Sequence, residues 1–127
     1  MKEMTGDPAL SEIYGALSDS AWDIYQALRS EHGLNAVGHA NATGDEQLEL
    51  DVFANNVFLK QLSACESVRH AITEEQPDLV ALGGGPFSIA LDPLDGSKSA
   101  LVGIPSGAIF CIFRDADSVS DFKGKNK

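Results

Sequence analysis

The longest regular pattern of apolar positions in the chain begins directly after Asp7 and Pro8. Asp7 can cap a helix, and proline is favoured at the first helical position, so this pair predicts a helix start. Apolar residues then recur at alternating steps of four and three, which predicts an amphipathic helix that ends near Gly33. These residues are Leu10, Tyr14, Leu17, Ala21, Ile24 and Leu28.

A second helix is predicted to begin at Thr43, after a loop, because Thr43 and Glu46 have the spacing of a capping box. Its apolar residues cover much of the helix circumference: Leu48, Leu50, Val52, Phe53, Val57, Phe58 and Leu62. Gln47, Asp51 and Asn55 are spaced by four and form a narrow polar stripe. Because a carboxylate on a mostly buried helix is costly unless it is paired, Asp51 is a candidate functional residue.

Three shorter runs predict strands, at Ser67–Thr73, Phe87–Leu91 and Ala108–Phe113. The connection from Pro77 to Gly85 is rich in turn residues, and its three consecutive glycines are expected to form a flexible turn. A short helix is predicted over Ser97–Gly103. From residue 114 to residue 127 the chain is a polar tail without a recognisable element.

The stretch Phe87–Ser97 reads FSIALDPLDGS and joins a buried strand to a pair of aspartates. Asp92 is expected at the end of the strand, and Asp95 in a tight turn that closes at Gly96. Two carboxylates three residues apart on such a bend can converge on one cation. The backbone amides of Gly96 and Ser97 can meet an anion. A cation beside an anion site is what the chemistry of phosphate esters requires.

Other carboxylates are also predicted at the ends of elements. Glu74 and Glu75 follow the first predicted strand, and Asp45 and Asp51 flank a helix start. In layered α/β folds, ligands gather at the carboxyl ends of strands. Clustered carboxylates without histidine or cysteine favour Mg²⁺, or Mn²⁺, over zinc.

Composition narrows the class of protein. The chain has 127 residues and a net charge of −10, which fits at most one domain and argues against nucleic-acid and anionic-membrane partners. Cys65 and Cys111 have no metal-site or redox spacing, so a reduced cytoplasmic setting is expected, with an organelle not excluded. The polar start lacks the apolar core of a signal peptide, and no apolar run is long enough to cross a bilayer.

The sequence resembles the class I fructose-1,6-bisphosphatases, members of the lithium-sensitive, metal-dependent sugar and inositol phosphatases. DPLDGS alone indicates the wider superfamily, whereas the GD–LDV segment together with TEE narrows the resemblance to the fructose or sedoheptulose bisphosphatase branch. The similar segments, in order, are NATGDEQLELDV (Asn41–Val52), TEE (Thr73–Glu75), DPLDGS (Asp92–Ser97) and SGAIFCIF (Ser106–Phe113). The resemblance implies an α+β, layered α/β fold: the amino-terminal part of an αβαβα sandwich, with two leading helices and then a mixed sheet. Residues 1–127 would then be a partial sugar-phosphatase domain.

The resemblance also implies roles for individual residues. Asp51 and Glu75 would orient and deprotonate the attacking water, and Gly96 and Ser97 would hold the phosphate that is cleaved. The family continues DGSSNID where this chain has Lys98, which could supply charge to the phosphate instead or point into solvent. The implied ligands of Mg²⁺ are Asp45, Glu74, Asp92, Asp95 and the backbone carbonyl of Leu94.

The implied reaction is Mg²⁺-dependent hydrolysis of the 1-phosphate of fructose 1,6-bisphosphate, in gluconeogenesis or the Calvin cycle. The first alternative is a sedoheptulose bisphosphatase or a broader sugar phosphatase. The second is a truncated, non-catalytic half-domain, because the family takes a further glutamate ligand and the sugar-binding residues from a region that this chain does not contain. In its full-length form the family would be a homo-oligomer that binds a sugar bisphosphate.

Overall fold

The computed structural model describes residues 6–29, 44–97 and 106–114, without the side chains of residues 44–48. Two helices precede four strands in the described part of the chain. Their bounds are α1 Pro8–Arg29, α2 Gly44–Ser63, β1 Val68–Thr73, β2 Val80–Ala81, β3 Phe87–Asp95 and β4 Gly107–Arg114.

Helix α1 begins where the sequence predicts. The Oδ1 atom of Asp7 accepts a hydrogen bond of 2.9 Å from the backbone N–H of Ala9, as an N-cap residue does. Pro8 occupies the first helical position, where its missing N–H costs nothing. The helix is described as far as Arg29, so the predicted stop near Gly33 lies outside the described residues.

The buried face of α1 is rotated slightly from the predicted one. Ala21 is exposed, although the apolar pattern placed it on the buried seam. Ser20 is fully buried in its place, and its hydroxyl donates a 2.7 Å hydrogen bond to the carbonyl oxygen of Ala16. A serine that satisfies its own hydroxyl within the helix can occupy a core position that hydrophobicity alone does not reveal. The buried residues of α1 are Ile13, Ala16, Leu17, Ser20 and Ile24.

Helix α2 presents one side to the core and another to solvent. The helix is described from Gly44, so the predicted start at Thr43 lies outside the described residues. Val52 and Phe53 are exposed, at 46% and 40%, so a smaller part of the helix circumference is buried than its apolar residues indicate. The buried apolar side chains of α2 lie along a single stripe: Leu50, Ala54, Phe58 and Leu62.

The strands form a mixed sheet in the order β2-β1-β3-β4. Strands β1 and β3 are parallel, whereas β2 and β4 pair antiparallel with β1 and β3 respectively. Two helices followed by a mixed sheet confirm the predicted fold class. The two-residue strand β2 lies inside the connection that the sequence analysis treated as turns, because two residues are too few to give a strand pattern.

The helices cover one face of this sheet. Phe87, Ile89 and Leu91 of β3 belong to the same core as the buried residues of α1 and α2. Strand β4 is an edge of the described sheet, and its alternate residues Ile109 and Cys111 are exposed on the face opposite the helices. The described residues therefore supply a helix layer and a sheet layer.

The glycine run Gly83–Gly85 is held against β1. The backbone N–H groups of Leu82 and Gly83 both donate to the carbonyl oxygen of Arg69, at 2.9 and 3.1 Å. Gly85 is buried against the backbone of Ser67. The expectation of a flexible turn is therefore wrong at Gly85, where the chain passes too close to its neighbour for a side chain.

Strand β4 ends at Arg114, so the strand includes the first residue of the predicted polar tail, and residues 115–127 lie outside the described part. The Arg114 guanidinium lies 4.4 Å from the ring centroid of Phe87, on the neighbouring strand. It also lies 3.9 Å from a carboxylate oxygen of Asp7, before α1. Neither described helix is long and apolar enough to span a membrane.

Candidate active site

The carboxyl ends of β1 and β3 lie side by side, since the two strands are parallel neighbours. Thr73 pairs with Leu91 across them, and the backbone N–H of Glu74 donates a 3.1 Å hydrogen bond to the carbonyl oxygen of Leu91. One residue further along each strand come Glu74 and Asp92. The parallel register thus brings two predicted metal ligands to the same end of the sheet.

A bulge in β3 decides where Asp92 and Asp95 point. Asp92 pairs with Ile109 and Asp95 with Gly107, so three steps along β3 oppose two steps along β4. Paired residues share a face of a sheet, and residues two apart on β4 share a face, so Asp92 and Asp95 are on the same face. In a regular strand, residues three apart would face opposite ways.

The bulge replaces the predicted turn. The strand was expected to end near Leu91, with the chain turning at Leu94, but it continues through Pro93 to Asp95. Proline is tolerated within a sheet at a bulge, where no ladder hydrogen bond is lost. An oxygen of Asp92 accepts a 3.2 Å hydrogen bond from the N–H of Leu94, which fixes the local bend. The left-handed φ of +78° at Gly96 then ends the strand.

A tight turn after β1 carries the two glutamates. The hydroxyl oxygen of Thr73 accepts a 3.2 Å hydrogen bond from the N–H of Glu75, and the carbonyl oxygen of Thr73 accepts one of 3.3 Å from the N–H of Gln76. Thr73 itself is buried, at 4% exposure. A buried threonine therefore fixes the directions in which Glu74 and Glu75 leave the sheet.

Helix α2 contributes Asp51 and Asn55 to the same region. Asp51 is half-buried and close enough to raise the pKa of both Glu74 and Glu75. Asn55, one helical turn later, is 5% exposed, and its Nδ2 donates a 3.0 Å hydrogen bond to Oε1 of Gln76. Its Oδ1 is buried and has no hydrogen-bond partner among the described residues. Leaving a buried acceptor unpaired costs about 1–3 kcal/mol.

The carboxyl groups at these strand ends perturb one another. A hydrogen bond between the carboxyl groups of Glu74 and Asp92, and the negative charge of Asp92, raise the pKa of Glu74 above its ordinary value of 4.5. Burial raises the pKa of Glu75, and the charges of Asp51 and Asp92 raise it further. Like charges held this close favour either a shared proton or a cation between them.

These pKa shifts predict that the metal-free chain is less stable at neutral pH than in mild acid. The folded state holds the protons of Glu74 and Glu75 more tightly than the unfolded chain does. Stability therefore falls as the pH rises above about 4.5, and the loss is complete above the raised pKa values. We expect a lower urea midpoint at pH 7.5 than at pH 5, and a smaller difference in a Glu74→Gln variant.

The control for this pH dependence is Glu66→Gln, which removes one charge from an exposed residue outside the cluster. Unfolding is measured with a chelator present, so that no divalent ion fills the site. A Glu74→Gln chain whose pH dependence equals that of the Glu66→Gln chain would contradict the prediction.

The structure brings together four of the predicted site residues. Asp51, Glu74, Glu75 and Asp92 interact electrostatically, and Asp95 lies on the same sheet face as Asp92. The side chain of Leu94 is buried, and its predicted role concerns only its backbone carbonyl.

The remaining predicted residues surround this cluster or lie outside the described part. Gly96 is exposed, and Ser97 is buried at 7% exposure. Asp45 lies in the first turn of α2, but its side chain is outside the described part, as is the whole of Lys98.

The donor set fits Mg²⁺ in chemistry. The interacting groups are carboxylates, which a hard cation prefers, and the Glu74–Asp92 contact places two of them where one positive charge would relieve their repulsion. Within residues 6–29, 44–97 and 106–114, no group of three or more His, Cys, Asp or Glu side chains is arranged to hold a metal ion. The described residues therefore provide two adjacent ligands rather than a complete coordination shell.

Two polar residues of this region were missed in the sequence analysis. Asn55 belongs to the predicted polar stripe of α2 but received no role, and Gln76 was not singled out at all. The stripe spacing was the available signal for Asn55. Nothing in the sequence pairs it with Gln76, since the two residues are 21 positions apart.

Together, the fold and the site define a layered α+β protein with a carboxylate cluster at the ends of parallel strands. Residues 1–126 match the family model described as "Fructose-1-6-bisphosphatase, N-terminal domain". The chain therefore belongs to the fructose-1,6-bisphosphatase family.

Similar curated proteins agree with this assignment. The class 1 fructose-1,6-bisphosphatase of Campylobacter jejuni subsp. jejuni serotype O:23/36 is 37% identical over 116 residues, which cover 90% of this chain and 41% of that protein. The fructose-1,6-bisphosphatase of Saccharomyces cerevisiae is 33% identical, over 89% of this chain and 33% of that protein. The chloroplastic sedoheptulose-1,7-bisphosphatase of Chlamydomonas reinhardtii is 31% identical, over 98% of this chain and 32% of that protein.

Solved structures share the fold. The crystal structure of Leishmania major fructose-1,6-bisphosphatase in holo form superposes with a TM-score of 0.71 at 24% identity, over 85% of this chain and 34% of that one. The chain thus spans about a third of the length of the first curated relatives that it matches.

Proposed function

We propose that this chain is the amino-terminal part of a Mg²⁺-dependent phosphatase that hydrolyses the 1-phosphate of fructose 1,6-bisphosphate. The observation that carries the proposal is the carboxylate cluster at the ends of β1 and β3, formed by four residues to which the family resemblance gives metal-binding or catalytic roles. The products would be fructose 6-phosphate and inorganic phosphate.

In this proposal the metal ligands of the chain are those that the family resemblance implies. Glu74, Asp92, Asp95 and the carbonyl of Leu94 would bind Mg²⁺ or Mn²⁺, and Asp45 would hold a further ion. Bound Mg²⁺ neutralises phosphoryl oxygens and makes a bound water more acidic. Contact between Glu74 and Asp92 and the shared face of Asp92 and Asp95 support these assignments.

Glu75 is suited to accept the proton of the attacking water. Burial and the charge of Asp51 raise its pKa, which brings a carboxylate closer to the range in which a general base works at neutral pH. The water oxygen would form a bond to phosphorus and its proton would pass to Glu75. The bond from phosphorus to the sugar oxygen would break, and the sugar oxygen would take a proton from solvent to become a hydroxyl. Asp51 would orient the water from the helix side.

The phosphate group would meet the chain just beyond the bulge. The left-handed backbone at Gly96 bends the chain directly before Ser97, and a bend of this kind suits an anion. Ser97 would bind the same group, and Lys98 would supply positive charge to it.

Both cysteines among the described residues are free, which fits a reducing compartment such as the cytoplasm, with an organelle as the alternative.

Two alternative functions are each favoured by one observation. A sedoheptulose bisphosphatase is favoured by the Chlamydomonas relative, which matches 98% of the chain. A non-catalytic half-domain is favoured by the length of the relatives, of which the chain spans about a third. In either catalytic case the whole protein is expected to be a homo-oligomer.

Phosphate release from fructose 1,6-bisphosphate with Mg²⁺ tests the proposal. The assay is run on the chain itself and on a chimera in which the chain replaces the matching segment of the Campylobacter jejuni enzyme. We expect Asp95→Ala to lower the rate of the active form by about 100-fold or more. Replacing a residue that only hydrogen-bonds a metal ligand already lowers metal affinity or activity by about 10–100-fold. Asp19→Ala, an exposed aspartate on α1, is the matched control.

The outcomes separate the candidates. Release by the chimera that is insensitive to Asp95→Ala would contradict the proposed metal site. Release by the chimera but not by the isolated chain would make the isolated chain a half-domain. Faster release from sedoheptulose 1,7-bisphosphate than from fructose 1,6-bisphosphate would favour the alternative substrate.

A further inference from the structure

Asn55 is a buried polar residue beside the carboxylate cluster. It lies one helical turn after Asp51 on α2 and is 5% exposed. Its Nδ2 donates a 3.0 Å hydrogen bond to Oε1 of Gln76, the residue that directly follows Glu75. This hydrogen bond joins the helix that carries Asp51 to the turn that carries Glu75.

The other hydrogen bonds of the turn hold it to the sheet. The N–H of Glu74 donates to Leu91 of β3, and Thr73 accepts hydrogen bonds from the N–H groups of Glu75 and Gln76. These bonds fix the shape of the turn and its place at the strand ends. The Asn55–Gln76 hydrogen bond joins the turn to α2.

The distance between the turn and α2 matters because the groups on either side repel each other. Asp51 on α2 and the two glutamates of the turn carry like charges, and the charge of Asp51 contributes to raising the pKa of each glutamate. Repulsion would move the turn away from the helix. A hydrogen bond between two uncharged amides, at the next helical turn, opposes this movement without adding charge to the cluster.

The unpaired oxygen of Asn55 supports a role beyond packing. Its Oδ1 is buried and has no partner among the described residues. Rotating the amides of Asn55 and Gln76 together by 180° would keep their hydrogen bond but would leave the Asn55 nitrogen unpaired instead. Leucine has the same branching at Cγ as asparagine and carries no polar atom that could be left unpaired, so stability alone does not favour asparagine here.

We propose that Asn55 and Gln76 are positioning residues that hold the Glu74–Glu75 turn at its working distance from Asp51. Asn55 donates the hydrogen bond from the helix, and Gln76 accepts it on the turn. The proposal assigns neither residue a contact with the reacting atoms. The meaning of this distance for metal binding and catalysis rests on the proposed function above.

The test compares the full chain with Asn55→Leu, Gln76→Leu and the double variant, and with Asn56→Ala as control. Asn56 is the exposed neighbour on the same helix. Amide hydrogen exchange at Glu75 and Gln76 reports on the turn, Mn²⁺ affinity reports on the site, and the urea midpoint reports on the fold. Mn²⁺ alone is the probe.

We expect Asn55→Leu to speed exchange at the two turn amides about fivefold. This factor corresponds to the net stability that one hydrogen bond typically contributes. Mn²⁺ affinity is expected to fall about tenfold, as it typically does when a residue that positions a metal ligand is replaced. The urea midpoint should stay near that of the wild type, because the leucine removes an unpaired acceptor. The double variant should resemble each single variant, and Asn56→Ala should resemble the wild type.

Unchanged exchange in Asn55→Leu would overturn the inference, and so would unchanged Mn²⁺ affinity in a chain whose wild type binds Mn²⁺. Lower affinity together with an equally lower urea midpoint would indicate a structural role and also overturn it. If the wild type binds no Mn²⁺, the metal part of the proposed function fails. The exchange rates then decide by themselves whether Asn55 and Gln76 hold the turn.

Discussion

A chain in which alanine replaces Gly85 is expected to be strongly destabilised. The new Cβ would overlap the backbone carbonyl group of Ser67 and lie 2.5 Å from the carbonyl oxygen of Glu66, where real Cβ contacts essentially never come within 3.0 Å. These neighbours are backbone atoms at the start of β1, so no side chain can move aside. The paired starts of β1 and β3 would have to separate. We expect a loss of about 3 kcal/mol or more, against a total stability of about 5–15 kcal/mol for a domain.

Urea unfolding followed by circular dichroism measures this effect, and the neighbouring glycine provides the control. A Cβ added at Gly84 would meet no atom within 4 Å, so Gly84→Ala should unfold near the wild-type midpoint. Equal midpoints for the two variants would show that the Gly85 segment can move away from Ser67, contrary to the packing described here.

Truncation of Phe58 to alanine is expected to cost about 3–5 kcal/mol, the range found for buried phenylalanines. Phe58 is 1% exposed and is among the largest fully buried side chains of the described residues. It belongs to the core that joins both helices to the sheet. Because α2 also carries Asp51 and Asn55, loosening this contact should weaken Mn²⁺ binding as well as stability.

Phe53 on the same helix is the matched control. It is 40% exposed, so Phe53→Ala should lower stability by less than about 1 kcal/mol. The two variants are compared by their midpoints of urea unfolding. A larger effect at Phe53 than at Phe58 would mean that a different side of α2 faces the core.

The two phenylalanines also show what the sequence could predict of α2. Its apolar residues surround much of the helix, so the pattern indicates a helix but not which side is buried. Only the position of the sheet separates Phe58 from Phe53. In α1 the start was predictable because Asp7 and Pro8 act locally, whereas the burial of Ser20 depends on a hydrogen bond that hydrophobicity does not encode.

For the candidate site, the sequence predicted the residue types and the ends of the elements. Glu74 and Asp92 follow from two apolar strands that each end in carboxylates, and their contact needed only the parallel register that the structure supplies. The strand was expected to stop before Pro93, because proline usually ends a ladder. A bulge accommodates it instead, and a bulge depends on the partner strand, which local sequence does not specify.

Two contacts could not be predicted from the sequence for a similar reason. They are the Asn55–Gln76 hydrogen bond and the close approach of Gly85 to Ser67. Each depends on where a second segment lies in space. The spacing of the polar stripe indicated that Asn55 was unusual, but its partner could not be identified from spacing along one helix.

The bulge makes the number of residues between Asp92 and Asp95 as important as their identity. In a sheet, removing one residue works like a frame shift that the bulge would have to absorb. A chain lacking one residue between the two aspartates would keep both carboxylates on one face only by losing the bulge, and with it the bend that the Asp92–Leu94 hydrogen bond fixes. The segment can therefore exchange residues more readily than it can change length.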